Sequence, residues 1–280
     1  MDGILIINKE KNKTSRDIVN IACSMLSTNK IGHTGTLDPL AQGVLVLAVN
    51  KALKLVDDIS SLNKEYIAEV TLGIKTDTFD ITGNVLEEKE EKINKDKLIE
   101  VLNSFIGSYH MTVPIYSAVK VNGKKLYEYA REGKKVDLPI KDVYINDIEL
   151  LSFEDNKFTF RCNVSKGTYI RSLINDICNK LGVIGTMSNL TRTKQGKFDI
   201  KDSIDIEDIS YDKIIPMEKV IDIPIIDVDD YLLNRIKHGN KLENRYNLPK
   251  LAFFYKGKLI AIYIEDPNDS NKIKPKTVFI

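Results

Sequence analysis

A single aspartate lies among closely spaced glycines early in the sequence, and its carboxylate is the first side chain there that could do chemistry. Gly35 and Gly43 suit a tight turn or a close approach between two backbones. Pro39 disfavours helical backbone at Asp38, and the apolar run 44–49 predicts a buried strand. The pattern therefore predicts a compact loop that carries one carboxylate to the entrance of a strand. On these residues alone, Asp38 is either a nucleophile or only a turn-forming residue before proline.

The second candidate functional residue is an arginine at the predicted start of a helix, where a positive charge is unfavourable. Gly167 permits a sharp corner between a strand and a helix, and Thr168 is the predicted helix cap. Arg171 then falls in the first helical turn, where the helix dipole disfavours positive charge. The buried face of this helix is predicted to comprise Ile170, Leu173, Ile174, Ile177 and Leu181. The cost at Arg171 indicates a carboxylate partner.

An aromatic residue near the start of a predicted strand is the third candidate. In the strand 64–73, Tyr66 shares one face with Ala68, Val70 and Leu72. Spacing alone favours a core aromatic residue at this position.

Basic and aromatic side chains alternate between residues 113 and 131, a composition typical of a surface that contacts nucleic acid. Lysine and arginine can meet phosphates, whereas tyrosine can stack on bases or pack in a core. The cations are Lys120, Lys124, Lys125 and Arg131, and the tyrosines are Tyr116, Tyr127 and Tyr129. Asn122 and Gly123 predict a tight hairpin turn. An ordinary hairpin followed by a helix, with Tyr127 in the core, remains an alternative.

The elements that must position these residues are strands and helices of ordinary length. A short buried strand at 3–8 precedes a helix that begins after Thr14, and Asn94 is the predicted cap of a later helix. Strands at 143–153 and 157–165 lead into the helix of Arg171. From residue 223 a new pattern begins, with a strand, a helix capped by Asp229, strands at 251–255 and 258–265, and a last strand near 276–280.

Composition restricts the class of protein. A chain of 280 residues is long enough for one large domain, or for one domain and a small satellite. The three cysteines are widely separated and the three histidines share no ligand-like spacing, so we expect neither a disulfide framework nor a bound metal. Phosphate-binding loops, dinucleotide fingerprints and apolar stretches of membrane length are absent from the sequence. We therefore expect a soluble cytoplasmic protein that needs no cofactor.

Charge is distributed unevenly along the chain. The net charge of +1 argues against a general nucleic-acid binder. Residues 161–201, however, contain eight basic and two acidic side chains (+6), and residues 202–230 contain two lysines and ten acidic side chains (−8). Such segregation can give one face a positive field, although it is also compatible with an ordinary solvated face.

Four motifs together resemble one known family. The run His33-Thr-Gly-Thr-Leu-Asp-Pro-Leu-Ala41, followed by Gly43, is similar to the catalytic signature of the bacterial tRNA pseudouridine synthase B family. The other matching segments are Lys9 with Thr14-Ser15, where Glu10 replaces the proline usual in the family, Lys64-x-Tyr66, and Ser165 to Arg171; the match at Ser188 to Gly196 is looser. The motifs occur in the order that the family shows.

The resemblance implies a fold and a division of the chain. We expect an α+β protein with the pseudouridine synthase fold, in which helices and loops flank a mixed, largely antiparallel central sheet. The catalytic domain is expected to span 1–221, with an RNA-clamping insertion at about 112–140 that is mobile without RNA. Residues 222–280 are expected to form a small PUA-like β-barrel that binds RNA.

The resemblance also implies a reaction and the residues that perform it. The family converts uridine to pseudouridine in the T-loop of tRNA, at position 55, after extruding the base. On this comparison Asp38 is the nucleophile, Arg171 pairs with it, and Tyr66 stacks on the base and can accept a proton. The residues expected to contact RNA are His33, Lys9, Leu190, Lys120, Lys124, Lys125, Arg131 and Arg192. His33 would fill the space that the base leaves, unless it only forms a hydrogen bond that stabilises its loop.

Alternative functions remain open at this stage. The catalytic subunit of a guide-RNA-dependent pseudouridylase shares these motifs, although the compact C-terminal part favours an enzyme that acts alone, as a monomer, on tRNA. A tRNA-folding chaperone that acts without turnover would need the same RNA-binding surface. A glycosidase is disfavoured because no second well-placed carboxylate accompanies Asp38.

Binding of tRNA should depend on salt, because Lys120, Lys124 and Lys125 are predicted to contact phosphates and to release counterions when they do so. The affinity for unmodified tRNA should therefore fall as salt rises, which a fluorescence titration at several salt concentrations measures. A flat response would remove these phosphate contacts from the prediction.

Overall fold

The computed structural model of the protein describes all 280 residues. It contains seven α-helices and nineteen strands. The helices are α1 (Ser15–Met25), α2 (Val56–Ser60), α3 (Lys95–Asn103), α4 (Leu126–Arg131), α5 (Ile170–Leu181), α6 (Met217–Val220) and α7 (Asp230–Lys237). The strands are β1 (Gly3–Lys9), β2 (Ile31–His33), β3 (Gln42–Val49), β4 (Lys64–Leu72), β5 (Ile74–Thr76), β6 (Val85–Glu88), β7 (Gly107–Thr112), β8 (Lys120–Val121), β9 (Lys124–Lys125), β10 (Ile140–Glu154), β11 (Lys157–Val164), β12 (Gly185–Gln195), β13 (Phe198–Asp199), β14 (Ile215–Pro216), β15 (Ile225–Asp227), β16 (Leu242–Glu243), β17 (Lys250–Tyr255), β18 (Lys258–Asp266) and β19 (Asp269–Val278).

A ten-stranded sheet forms the centre of the molecule. Its strands run in the order β14-β1-β3-β12-β4-β11-β10-β7, with β2 paired to β3 and β13 paired to β12. All strand pairs of this sheet are antiparallel except β3–β12, which is parallel. The predicted mixed, largely antiparallel sheet of an α+β protein is therefore confirmed.

One face of this sheet and the helices α1, α3 and α5 enclose the main hydrophobic core. The alternation predicted for β4 is present, because Tyr66, Ala68, Val70 and Leu72 are all buried in that core. The predicted starts of two helices are also confirmed. Thr14 forms a capping box with Asp17 in α1, and the predicted cap of α3 accepts hydrogen bonds from the backbone of its first turn.

A curled five-stranded sheet, β15-β17-β18-β19-β16, forms the C-terminal part together with α7. Asp229 caps α7 as predicted, by accepting a hydrogen bond from the Leu232 amide. The last strand was predicted too short, because it begins at Asp269 and not near residue 276. Its first four residues are polar and three of them are exposed, so the start of the strand lacks the apolar alternation that marks a strand.

The second face of β1 and β3 packs against this C-terminal sheet. Ile4, Ile6 and Val46 belong to the same buried cluster as Phe254 and Ile262. The strands β1 and β3 are therefore covered on both faces, which explains why their sequences are almost continuously apolar.

The segment rich in lysine and tyrosine forms a small unit between β7 and β10. The strands β8 and β9 pair across Asn122 and Gly123, which both have positive φ (51° and 81°), and α4 follows directly. The predicted tight hairpin turn is therefore confirmed. None of the seven helices combines the length and apolar character that crossing a membrane requires.

The parallel pairing of β3 with β12 requires a glycine at residue 43. Gly43 lies opposite Arg192 in the sheet and has φ +98°, in the region that favours glycine. A Cβ atom added at Gly43 would lie 2.3 Å from the carbonyl oxygen of Arg192. The two backbones can therefore meet here only without a side chain.

Replacing Gly43 by alanine should lower the free energy of unfolding by about 2–4 kcal/mol, because strained backbone and a steric clash add together. Denaturant titration measures this loss. Gly107→Ala is a matched control, since Gly107 has a similar φ of +108° with no neighbouring atom within 4 Å. It should cost only about 1 kcal/mol, and equal losses at both positions would contradict the proposed close approach.

Candidate active site

The loop between β2 and β3 carries Asp38 and is held from both sides. The amide of Leu37 donates to Ser15 Oγ at 2.8 Å, and this hydroxyl donates back to the Leu37 carbonyl at 3.2 Å. The amide of Ala41 donates to the Asp38 carbonyl at 3.0 Å, which closes the predicted turn. The loop is therefore fixed by α1 and by its own backbone, and its aspartate side chain remains partly exposed.

Two cations that were predicted to contact RNA lie behind this loop instead. Lys9 is fully buried, and its Nζ donates to the carbonyls of Glu10 and Lys13 at 2.8 and 2.6 Å and reaches that of Pro39 at 3.5 Å. Arg192 is also fully buried; its Nε donates to the Val44 carbonyl at 2.6 Å and its Nη2 to the Gly35 carbonyl at 3.0 Å.

Lys9 therefore supports the loop and is not accessible to a phosphate, which corrects the prediction. Arg192 does the same with two of its nitrogens, although its side chain also lines the cleft described below. The sequence pattern showed that both positions are basic but not that backbone carbonyls would surround them. For Lys9 two of these carbonyls are local and one, that of Pro39, is distant in the sequence, whereas both carbonyls on Arg192 are distant.

Arg171 meets the aspartate of the loop. Its Nε lies 2.9 Å from Asp38 Oδ2, and its side chain is only 6% exposed. The two other guanidinium nitrogens donate to the carbonyls of Thr78 and Tyr116 at 2.9 and 3.0 Å. The sequence prediction that a carboxylate offsets the cost of this cation at a helix start agrees with this geometry.

A second carboxylate, which the sequence analysis did not single out, lies on the same guanidinium. Asp80 Oδ2 is 3.8 Å from Arg171 Nε, and Asp80 is buried. Its Oδ1 accepts hydrogen bonds from Thr78 Oγ1 and from the amide and hydroxyl of Thr82. The surrounding Thr-x-x-x-Asp pattern is common in turns, so no local signal distinguished this residue.

The helix that carries Arg171 begins one residue later than predicted. Tyr169, and not Thr168, is the N-cap of α5, and it makes no side-chain capping bond. The Thr168 hydroxyl instead donates to the Ser165 carbonyl at 3.0 Å, within the strand-to-helix corner. Tyr169 consequently turns its ring to the cleft, where burial raises the pKa of its phenol and the Asp38 charge adds to that rise.

A cleft of about 390 Å³ brings these residues together. Asp38 and Arg171 line it, as do Tyr66 and Leu190, which lie on the neighbouring strands β4 and β12. Tyr66 is only 7% exposed. Carboxylate, guanidinium and aromatic ring thus share one concave surface, the arrangement expected of an active site.

His33 does not line this cleft. It is half-buried, and its Nδ1 is buried without a hydrogen-bond partner, so a loop-stabilising bond from that nitrogen is absent. Burial, followed by the nearby charge of Arg16, lowers the pKa of its imidazole and favours the neutral ring.

The basic residues of the hairpin and α4 lie on an exposed part of the surface, and several of them contact the neighbouring tyrosines. Lys124 pairs with Glu132 and lies over the ring of Tyr129, at 5.1 Å from its centroid. The ring of Tyr127 has Lys125 and Arg131 at 5.4 and 5.2 Å. Lys120 is exposed and forms no ion pair. Tyr127 is half-buried, so it is not the core residue of the alternative interpretation.

Comparison with known proteins gives the family. Residues 24–170 match the model of the TruB family pseudouridylate synthase N-terminal domain. The chain is 40% identical over 272 residues to the tRNA pseudouridine synthase B of Clostridium tetani, which covers 95% of this chain and 93% of that protein. It is 46% identical over 201 residues to the protein of the same name from Fusobacterium nucleatum, covering 72% and 70% of the two chains.

The chain belongs to the TruB family of pseudouridylate synthases. It is therefore an enzyme of the isomerase class, as the motifs predicted. Solved structures agree with this assignment, since a Cbf5–Nop10–Gar1 complex contains a chain that superposes with a TM-score of 0.77 at 26% identity, covering 99% of this chain and 85% of that one. A second structure, an H/ACA RNP bound to a substrate RNA that contains 2′-deoxyuridine, gives a TM-score of 0.74 at 25% identity.

The predicted fold is therefore confirmed as the pseudouridine synthase fold with a PUA-like C-terminal sheet. The family model ends at residue 170, immediately before Arg171, and begins after Lys9. Both positions are covered by the alignment to the tRNA pseudouridine synthase B of Caldanaerobacter subterraneus, which is 39% identical and spans 100% of this chain and 99% of that protein.

Burial of Lys9 should be visible as a pH dependence of stability. Burial lowers the pKa of this ammonium from 10.5 to about 8. Between these values the unfolded chain keeps a proton that the folded protein has lost, so folding becomes more favourable as pH rises. The free energy of unfolding of the wild type, relative to Lys9→Met, should therefore increase by roughly 1–3 kcal/mol from about pH 8 to 10.5.

Denaturant titrations of both proteins at several pH values provide this difference, in which the titrations of all other groups cancel. Lys97→Met, which removes an exposed lysine of α3, is the matched control and should differ from the wild type by the same amount at every pH. A difference between wild type and Lys9→Met that stays level or falls over this window would contradict burial of the ammonium.

Proposed function

We propose that this enzyme isomerises uridine to pseudouridine in the T-loop of tRNA, at position 55, with Asp38 as the nucleophile. The observation that carries the proposal is the contact between Asp38 and Arg171 at 2.9 Å, in a cleft that Tyr66 also lines. The relatives at about 40% identity over nearly the whole chain are tRNA pseudouridine synthases B, whereas the Cbf5 likeness is at 26%. A tRNA substrate is therefore favoured over a guide-RNA complex.

The arrangement around Asp38 suits a reaction that breaks an N-glycosidic bond and forms a carbon–carbon bond. A carboxylate can attack the sugar or assist loss of a proton from it only when it is ionised and oriented. Arg171 supplies a positive charge on one side of the carboxylate and leaves the other side to the cleft. Because Arg171 is itself fixed by two carbonyls and by Asp80, it cannot follow the substrate and holds the nucleophile in place.

The aromatic wall suits the base. Extruding a uridine from a folded loop costs a few kcal/mol, and stacking of a base on an aromatic ring returns about 1–3 kcal/mol. Tyr66 and Leu190 face the cleft from adjacent strands and provide a flat apolar wall for the uracil. In this proposal Tyr66 stacks on the uracil and is placed to accept a proton from it, while His33 takes the place of the base in the RNA loop.

Other parts of the chain would bind the RNA outside the cleft. We assign 1–221 to the catalytic domain, about 112–140 to an insertion that clamps the stem-loop, and 222–280 to an RNA-binding domain. The exposed Lys120 and the half-buried Lys124 and Lys125 of the insertion support phosphate contacts. The Glu132 pair of Lys124 would then have to open or shift when RNA binds.

Incubating unmodified tRNA with the purified protein and mapping pseudouridine chemically tests the substrate and the nucleophile together. The wild type should convert the T-loop uridine, whereas Asp38→Asn should lose at least about 10³-fold in rate because the neutral amide cannot act as a nucleophile. Conversion at another uridine would contradict the T-loop assignment, and an active Asp38→Asn variant would contradict the role of Asp38.

The same pair of proteins separates catalysis from RNA folding. Binding of tRNA should persist in Asp38→Asn, since the loop is held by backbone contacts that do not use this side chain. If the variant refolds misfolded tRNA as well as the wild type does, the clamp has a second activity that needs no turnover. Loss of binding in step with loss of conversion would show instead that the substitution disrupts the site.

A further inference from the structure

Buried positive charge is concentrated at one place in this protein. Only four cationic side chains are buried, and all of them support or line the active cleft: Lys9, Lys64, Arg171 and Arg192. The cleft residue Asp38 and the buried Asp80 behind it both lie on Arg171. Burying an ammonium or guanidinium is unfavourable unless it is paired, so the remaining charges require an explanation.

Lys64 and Arg192 have donors to spare. Lys64 Nζ donates to the carbonyls of Ser60 and Leu62 at 2.7 and 2.6 Å, which uses two of its three hydrogens. Arg192 uses Nε and Nη2 for backbone carbonyls, and its Nη1 donates no hydrogen bond. Neither residue forms an ion pair, and both line the cleft.

The two cations meet at the backbone of Gly35. A Cβ atom built on Gly35 would lie 3.4 Å from Arg192 Nη1 and 3.8 Å from Lys64 Cε. Lys166, which is exposed and also forms no ion pair, lines the same cleft. Burial, followed by the charges of Arg192 and Lys166, lowers the pKa of Lys64 to about 8. The three cations therefore repel one another in the free protein.

We propose that Lys64, Lys166 and the free Nη1 of Arg192 form a phosphate subsite that holds a backbone phosphodiester of the RNA beside the extruded uridine. This inference rests on the proposed function, because it takes the ligand to be the substrate RNA. A phosphate oxyanion can accept hydrogen bonds from all three donors at once and removes their mutual repulsion. No carboxylate needs to be displaced for it to bind.

The position of the subsite fits a nucleotide. Lys64 and Tyr66 are two residues apart on β4, so their side chains lie on the same face at a separation of roughly 6.6 Å along the strand. A base on Tyr66 therefore places its own or the adjacent phosphate within reach of Lys64. Binding of the phosphate there would position the nucleotide in the cleft, while its base stacks on the ring of Tyr66.

A cycle that combines protein and RNA changes tests this subsite. The RNA is a T-stem-loop hairpin, unmodified or with one methylphosphonate, which is a neutral phosphate analogue, at each linkage around the target uridine. The proteins carry Asp38→Asn to prevent turnover, alone or with Lys166→Ala or Lys64→Met. Fluorescence anisotropy gives the dissociation constant of every pair at several salt concentrations.

Each lysine variant should weaken binding of the unmodified hairpin about tenfold, as expected for one charged hydrogen bond, and should reduce the slope of log affinity against log salt by about 1. At one linkage, the methylphosphonate should weaken hairpin binding by the parent protein by a similar factor. At that linkage it should cause hardly any further loss of affinity in the lysine variants. Losses that add at every linkage would overturn the proposal, since the lysines would then not face a phosphate.

Controls separate the subsite from folding and from general charge. Lys64→Met removes bonds that hold the end of α2, so Lys166→Ala, at an exposed position, is the variant that cannot fail merely by unfolding. Lys97→Ala on α3 matches it in charge and exposure and should leave every affinity unchanged. A salt slope lowered equally by Lys97→Ala would reduce the effect to net charge and overturn the proposal.

Inorganic phosphate distinguishes RNA from a free anion as the natural occupant. At constant ionic strength, phosphate should compete with the unmodified hairpin for the parent protein more strongly than chloride does, and this advantage should vanish in Lys166→Ala. Competition by phosphate while every methylphosphonate is tolerated would assign the subsite to a free anion and overturn its assignment to the RNA. Because all of these readouts are affinities, they are measured separately from turnover: a hairpin that binds with the expected phosphate dependence but is not converted by the wild type would contradict the proposed reaction and not the subsite.

Discussion

The guanidinium of Arg171 joins four segments that are far apart in the sequence. From α5 it contacts Asp38 on the loop between β2 and β3, Asp80 and the Thr78 carbonyl on the loop after β5, and the Tyr116 carbonyl in the segment after β7. The side chain is buried, so each of these contacts forms in a medium where an unpaired charge would cost several kcal/mol. The position of the Asp38 carboxylate, the shape of the cleft and the attachment of the segment between β7 and β10 therefore all depend on the same cation.

The contacts of this one residue also explain why the site can be rigid although most of its residues lie on loops. Arg171 is held at the start of α5, whose apolar face is packed in the main core. The opposite wall of the cleft is formed by strands in the middle of the ten-stranded sheet. Loops that bridge a helix and a sheet in this way cannot move independently of the core, which preserves the geometry that a nucleophile requires.

Positive charge has two roles in the cleft, which its hydrogen-bond partners distinguish. Lys9 and two nitrogens of Arg192 are occupied by backbone carbonyls and stabilise the loop of Asp38. The third Nζ hydrogen of Lys64 and the Nη1 of Arg192 have no hydrogen-bond partner within the chain, and both side chains line the cleft. A protein with a net charge of only +1 can thus concentrate positive charge in one cleft.

The sequence by itself determined the local features: the turn around Asp38, the capping box at Thr14, the hairpin turn at Asn122 and the core face of β4. Backbone preference and side-chain periodicity act over a few residues, so they can be read without knowledge of the fold. The motifs also identified Asp38 and Arg171 as partners, although 133 positions separate them. Their pairing was inferred from resemblance and from the cost of a cation at a helix start, not from periodicity.

Only the tertiary structure decided which charges are buried and what they contact. Arg192 reaches the carbonyl of Val44 across 148 positions because β3 and β12 are neighbours, and this pairing has no signature in either strand. The role of Asp80, the burial of Lys9 and the exposure of Lys120 follow in the same way from long-range packing. Charge and residue type are local properties, whereas burial and hydrogen-bond partners are set by the segments that folding brings together.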